Sequence, residues 1–273
     1  MSDDGRTLLV SSTEQLWKSS TRRSFLKMLG VGGTIVLAPA LFEACDGYSP
    51  ATAPGMGGGG SASLNLSDDI GILNYAYALE QLEAAFYTAV VASAAFGSLN
   101  ADQQEVMSDL RSHEVIHREF LKAALGQKAI GTLAFSTTAV ASTLTSGAVI
   151  LKNAEAFEDL GVSAYNGAGK YLKSADYLTL AGKIVSVEAR HAAAIRDIRD
   201  AAGVTGGTAA GTRFAGDDVV ASSGATAGLD VKLEPSSVLG RVGSTGLLTT
   251  MVTIGASPSG SATPDAGPPS PTP

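Results

Sequence analysis

Two stretches of this chain repeat each other at helical spacing, and that duplication limits the folds open to it. LEQLEAAFY, residues 79–87, aligns with FEDLGVSAY, residues 157–165, which sets Glu80 over Glu158 and Tyr87 over Tyr165 at an offset of 78. HEVIHREFL, residues 113–121, aligns with VEARHAAAI, residues 187–195, setting Glu114 over Glu188 and His117 over His191 at an offset of 74. Two offsets so nearly equal describe two copies of one helical hairpin.

The flanking residues supply the helices. Ser67 is a candidate N-cap with Asp68 and Asp69 in the first turn, followed by a stripe of Leu73, Ala76, Tyr77, Glu80, Ala84, Tyr87 and Val91 to about Ala95. After a loop around Gly97, Asn100 and Gln103 read as a capping-box variant, and Met107, Leu110, Glu114, His117, Leu121 and Leu125 form the second stripe before Gly126 ends it. A third helix is expected over about 148–168. A fourth is capped by Ser174 and carries Tyr177, Ala181, Ile184, Glu188, His191, Ile195 and Ile198, ending near Gly203. Residues 126–147 are Thr- and Ser-rich with apolar outposts such as Phe135, and are too long for a tight turn. The expected fold is therefore all-α: a four-helix bundle over 67–202, made of two hairpins joined by a long crossover. An aromatic content of only 6% suits closely approaching helices built on small side chains.

Residues three apart on a helix share a face one turn apart, so Glu114 and His117 can reach one internal point, and Glu188 and His191 can do the same. Both pairs lie on apolar stripes, where an ionised carboxylate without a partner is costly and a cation is the natural compensation. With Glu80 and Glu158 from the remaining helices, the set becomes four carboxylates and two imidazoles, the combination that binds two transition-metal ions inside a bundle. A single Glu-x-x-His would ordinarily be a surface pair. The chain has only 3 His, and two of them follow a Glu by three positions.

These residues resemble the ferritin-like superfamily of di-iron and di-manganese carboxylate proteins, and within it the exported bacterial group related to plant desiccation-associated proteins. The resemblance covers 67–202 and rests on ALEQLEAAFY, HEVIHREFLKAALG, AFEDLGVSAYNGA and VEARHAAAIR. It implies a ferritin-like bundle holding two Fe or Mn ions, with Glu80 and Glu158 as the lone-helix ligands and Glu114, His117, Glu188 and His191 as the paired ones. Glu114 and Glu188 are the bridging carboxylates by the same resemblance. Glu83 and Glu155, one turn from the lone ligands, are either extra ligands or ordinary polar residues beside the stripe. Tyr87 and Tyr165 either pack in the core or serve the centre, as hydrogen-bond donors to a ligand or as redox-active phenols. His113 points about 100° away from Glu114 and belongs to the surface or behind a ligand. The long carboxy-terminal region and the amino-terminal tether depart from the family and argue against a self-assembling storage cage.

Ahead of the bundle, paired Arg22 and Arg23 followed by Phe25, Leu26 and Lys27 and an apolar run over 28–40 resemble a twin-arginine export signal, which places residues 1–44 outside the mature protein. The run is shorter than the ~20 residues of a membrane span. Ala38-Pro39-Ala40 suits ordinary signal peptidase; Leu41 to Cys45 resembles a lipoprotein box ending on the only Cys, with Phe42 and Glu43 larger than usual there. Lipidation at Cys45 is the expectation, followed by a flexible tether over 45–66. A mostly irregular extension over 203–255 contains one short helix from Pro235 to Val242, with Leu229, Val231, Leu233, Val238 and Leu239 packing on the bundle. Residues 256–273 form an unfoldable tail rich in Pro, Gly and Ser.

One Cys rules out a disulfide framework and cysteine-based metal sites, and a net charge of -7 argues against nucleic acid as partner. The function expected is an exported, periplasmic or cell-envelope protein, lipid-anchored, whose di-metal centre does redox, oxidative-stress or metal-handling chemistry with oxygen or peroxide. If an enzyme, it is an oxidoreductase of ferroxidase, peroxidase or catalase-like type. The alternative is a metal-free envelope protein that keeps the bundle as a structural or stress-protection scaffold.

Overall fold

The computed structural model describes residues 7–10, 34–37, 60–201, 219–220, 224 and 226–257. The chain divides into two units, one of residues 53–119 with 130–273 and a smaller one of 1–52 with 120–129. In the smaller unit, strands β1 (Thr7–Val10) and β2 (Thr34–Leu37) pair in parallel. The expected Arg22–Arg23 signal, Cys45 and residues 258–273 of the carboxy-terminal tail lie outside the described residues, while Ala256, expected to open that tail, ends strand β4.

The larger unit holds strand β3 (Ser61–Asn65) and helices α1 (Asp69–Ala92), α2 (Ala101–Leu125, whose last residues fall in the smaller unit), α3 (Thr137–Ser142), α4 (Gly147–Ala168), α5 (Ala175–Ala201) and α6 (Pro235–Ser244), then strand β4 (Met251–Ala256). Four of the helices, α1, α2, α4 and α5, are the long ones, and the chain order is hairpin, crossover, hairpin. Among the described residues no helix is long and apolar enough to cross a membrane.

Local chemistry sets the helix ends. Asp68, rather than the expected Ser67, caps α1: its carboxylate accepts from Gly71 N at 2.8 Å, a reach Ser67 loses because its own hydroxyl donates back to Asn65. Asn100 and Gln103 form the expected reciprocal box, with Gln103 N donating to Asn100 Oδ1 and Asn100 N donating to Gln103 Oε1. Ser174 receives a bond from Tyr177 N as α5 opens. Gly126, at φ 55°, ends α2 in the left-handed region.

Helix α1 is buried along every side from Gly71 to Tyr87, which no simple four-helix bundle would require. The crossover and strand β3 supply additional cover, with Asn65 O so close to Gly71 that a Cβ there would stand 1.4 Å from it. Asn74 Oδ1 and Gln81 Oε1 accept from the crossover amides of Ile130 and Leu133 at 2.7 and 2.8 Å, so polar groups on α1 are satisfied where the crossover lies on it. Ser136 N donates to Leu247 O and Thr249 N to Ala134 O, stitching the crossover to the extension. In α6, Pro235, Val238 and Val242 form the buried stripe, and Leu233 N donates to Ser163 O at 2.9 Å. This approach needs Gly167, because a Cβ there would stand 1.7 Å from Leu233 O. The core is Leu, Ile, Val, Ala and Met with Tyr75, Phe86, Tyr87, Phe135 and Phe157, each fully buried aliphatic side chain contributing about 1.5–3 kcal/mol.

Two expectations need correction. The tether does not reach residue 66, since Ser61–Asn65 is a strand paired in parallel with Met251–Ala256, and Leu64 and Leu66 are buried. Leu229 does not pack on the bundle; it is 59% exposed, while Leu233 and Val238 carry that contact.

Candidate metal centre

All six residues singled out by the repeat meet inside the four long helices. Glu80 comes from α1, Glu114 and His117 from α2, Glu158 from α4, and Glu188 and His191 from α5, and all four carboxylates are fully buried. They resolve into two clusters, each with its ligand-type atoms within 4.8 Å of one another: Glu80, Glu114, His117 and Glu188, and Glu114, Glu158, Glu188 and His191.

The atoms that face inward show how the clusters share residues. His117 Nδ1 lies 3.5 Å from Glu80 Oε2, 3.4 Å from Glu114 Oε2 and 2.9 Å from Glu188 Oε1. His191 Nδ1 lies 2.9 Å from Glu114 Oε1, 3.3 Å from Glu158 Oε2 and 3.6 Å from Glu188 Oε2. Glu114 and Glu188 thus send one oxygen to each cluster, the placement of a bridging carboxylate. Glu80 and Glu158 send one oxygen to a single cluster, the placement of a terminal one.

Each terminal carboxylate is held from behind by the tyrosine of the other repeat. Tyr87 on α1 donates to Glu158 Oε1 at 2.5 Å, and Tyr165 on α4 donates to Glu80 Oε1 at 2.5 Å. The outer oxygen is satisfied and the inner one is aimed. Burial, with the adjoining carboxylate, pushes both phenols well above their ordinary range, so both remain donors.

The residues present fit a pair of cations. Glu80 Oε2, Glu158 Oε2, both oxygens of Glu114 and of Glu188, and Nδ1 of His117 and of His191 are buried, and none makes a hydrogen bond. Within each cluster the imidazole nitrogen and the carboxylate oxygens crowd one another at 2.9–3.6 Å without forming hydrogen bonds, and a buried polar atom left in that condition costs about 1–3 kcal/mol or more. The charge adds up as well, since four carboxylates balance two divalent ions.

The electrostatics without a cation are those of a strained acid cluster. Burial, reinforced by neighbouring carboxylates, raises Glu80 and Glu158 well above the usual range. Burial would do the same to Glu114, but the imidazoles of His117 and His191 facing it prevail and hold it at about 2. Burial would lower the two imidazoles, yet the carboxylates around them push each up to about 12. Protons thus stand in for cations here.

Of the ambiguous residues, Glu155 is not part of the centre: it pairs with Arg199 of α5. Glu83 is buried beside the centre, its Oε2 without a hydrogen bond and its carboxyl raised by burial and by Glu188, Glu114, Glu158 and Glu80. Its Oε1 lies 2.9 Å from where a Cβ on Gly161 would stand. Gly161 was not anticipated, although the offset of 78 sets it directly over Glu83: the second repeat carries no side chain where the first carries an acid. His113, exposed on α2, places Nδ1 2.9 Å from His191 Nε2 with the two rings nearly parallel, so it stands behind a ligand. Arg199 had no sequence signal, because nothing local pairs residues 44 apart.

Comparison with family models matches residues 68–201 to the ferritin-like domain. No curated protein matches the chain. The matched span opens at the N-cap of α1, ends with α5 and contains every residue of the centre, and through this domain the chain belongs to the ferritin-like superfamily.

Proposed function

We propose that this protein holds two Fe or Mn ions in the bundle and uses them in redox or metal-handling chemistry with oxygen or peroxide, as an exported protein anchored at the cell envelope through Cys45. The observation that carries the metal reading is the set of eight inward-facing buried atoms without hydrogen bonds, divided four and four. His117, Glu80, Glu114 and Glu188 would hold one ion, and His191, Glu158, Glu114 and Glu188 the other. Two such ions would supply electrons to oxygen or peroxide, or take them from peroxide.

The chain's own contribution is to orient and to exclude water. Tyr87 and Tyr165 fix the terminal carboxylates and keep protons beside the centre. The aliphatic core and the fully covered α1 close it from one side, while His117, at 12% side-chain exposure, and the exposed His113 mark the side of access. The envelope location is supported by the twin-arginine-like segment and the lone Cys45 ahead of the bundle. Because that route carries folded proteins, the ions can be loaded before export, where supply decides their identity.

Elemental analysis of the purified full chain tests this reading. About two Fe or Mn per chain are expected, together with peroxide or oxygen consumption that a chelator abolishes. A chain that takes up neither metal would leave the scaffold reading in its place.

A further inference from the structure

The two halves of the centre are copies, but one has a partner the other lacks. His113 Nδ1 lies 2.9 Å from His191 Nε2, and the rings are nearly parallel, with centroids 5.1 Å apart and an interplanar angle of 7°. At the offset of 74 that relates α2 to α5, the counterpart of His113 is Val187, whose side chain neither donates nor accepts. Every polar contact of the His117 ring among the described residues is made through Nδ1, on the carboxylate side. His117 is also the more open of the two, at 12% side-chain exposure against 5% for His191.

That difference has a chemical consequence. For His191 to offer the Nδ1 lone pair to a cation, its ring must be neutral with the proton on Nε2, and His113 Nδ1 is placed to accept that proton's hydrogen bond. The bond keeps the outer proton on Nε2 and fixes the ring plane, so the proton displaced when an ion arrives is the one on Nδ1. His117 Nε2 has no such acceptor among the described residues, so the place of its proton and the orientation of its ring are settled during binding. Outer partners of this kind change metal affinity by roughly 10–100-fold.

We propose that His113 makes the two sites unequal, so that the ion held by His191 and Glu158 binds first and is retained while the one held by His117 and Glu80 binds more weakly and exchanges. His113 is a positioning residue that acts through His191. The proposal rests on the di-metal reading above and adds an order of filling to it.

The test is titration of the metal-stripped full chain with Mn(II), following free and bound ion by electron paramagnetic resonance. The native chain should bind one Mn before the second, in two steps about 10–100-fold apart. His113→Leu should weaken the tighter step by a similar factor and merge it with the weaker one. His113→Asn, which keeps an acceptor close to the position of Nδ1, should restore the separation. His113 is exposed, so neither change disturbs the core. Equal affinities in the native chain, equal weakening of both steps by His113→Leu, or failure of His113→Asn to restore the gap would each overturn the proposal while leaving the di-metal reading intact. No Mn uptake by the native chain would overturn both.

Discussion

The hydroxyl of Tyr87 on α1 donates to Glu158 on α4, at 2.5 Å, and not to Glu80 on its own helix. Its repeat partner does the converse, so each hairpin orients the terminal carboxylate of the other. The centre therefore depends on both copies being docked, and a change in one hairpin is read in the site of the other.

From this pairing, Tyr87→Phe should weaken the ion on the His191 and Glu158 side while sparing the other, and Tyr165→Phe should do the reverse. Each change leaves a buried carboxylate oxygen without its donor, at about 1–3 kcal/mol of stability in the metal-free protein. Metal titration alongside thermal unfolding checks both parts. Equal effects on the two ions would mean that the tyrosines only fill space.

The shared oxygens of Glu114 and Glu188 lead to a different expectation. Glu114→Ala or Glu188→Ala should lose both ions together, because each residue faces both clusters. Glu80→Ala should affect the ion beside His117 more than its neighbour, because its inner oxygen meets that cluster alone. Stoichiometry by elemental analysis separates the patterns, and identical losses in all three variants would contradict the assignment of bridging and terminal roles.

Stability should depend on pH with opposite sign in the metal-free and loaded protein. Glu80, Glu83 and Glu158 are raised above 4.5 on folding, so the folded metal-free state binds more protons than the unfolded one and stability falls as pH rises above that value. His117 and His191, raised to about 12, contribute stability that is full below 6.5 and is lost as pH climbs toward 12. Glu114, lowered to about 2, works the other way, but its contribution is lost only as pH falls from 4.5 toward 2. The metal-stripped protein should thus melt at a higher temperature at pH 5.5 than at pH 8. The loaded protein should show the reverse, since cations compete with protons for the same atoms. Melting curves with and without chelator at the two pH values decide it, and one common trend would contradict the proton-for-cation account.

For location, the mature chain should begin at Cys45 and partition with membranes, while Cys45→Ala should release it with fold and metal content unchanged. Multiple acyl chains contribute about 0.8 kcal/mol per buried methylene, far more than an acidic bundle surface can. Amino-terminal sequencing and membrane fractionation are the checks. A mature protein starting at Leu41, or a Cys45→Ala chain just as membrane-bound, would rule out the lipid anchor.

The bundle and the six central residues were legible because their signals are local or repeated. Glu114 and His117 share a helix face through spacing alone, Asn100 and Gln103 lie three apart, and the offsets of 78 and 74 carry an assignment from one hairpin to the other. What escaped is what the chain brings together from a distance. Ser61–Asn65 pairs with Met251–Ala256 across most of the protein; Ala62 and Leu64 do alternate with Ser61, Ser63 and Asn65, but five residues at the end of a Gly-rich stretch read as tether until their distant partner is known. The crossed pairing of Tyr87 with Glu158, the contact of His113 with His191 and the ion pair of Glu155 with Arg199 all join different helices, whose relative rotation no stripe specifies. The space that Gly161 leaves for Glu83 is visible in the repeat only when a missing side chain is counted as a feature.

The most direct test of the central claim is anomalous diffraction from crystals of the loaded full chain, recorded at the iron and manganese absorption edges. The account predicts two peaks within the four long helices, ~3.5–4 Å apart, one beside His117 Nδ1 and Glu80 and the other beside His191 Nδ1 and Glu158, with Glu114 and Glu188 touching both. A single peak, peaks elsewhere on the chain, or none from protein saturated with either metal would contradict it.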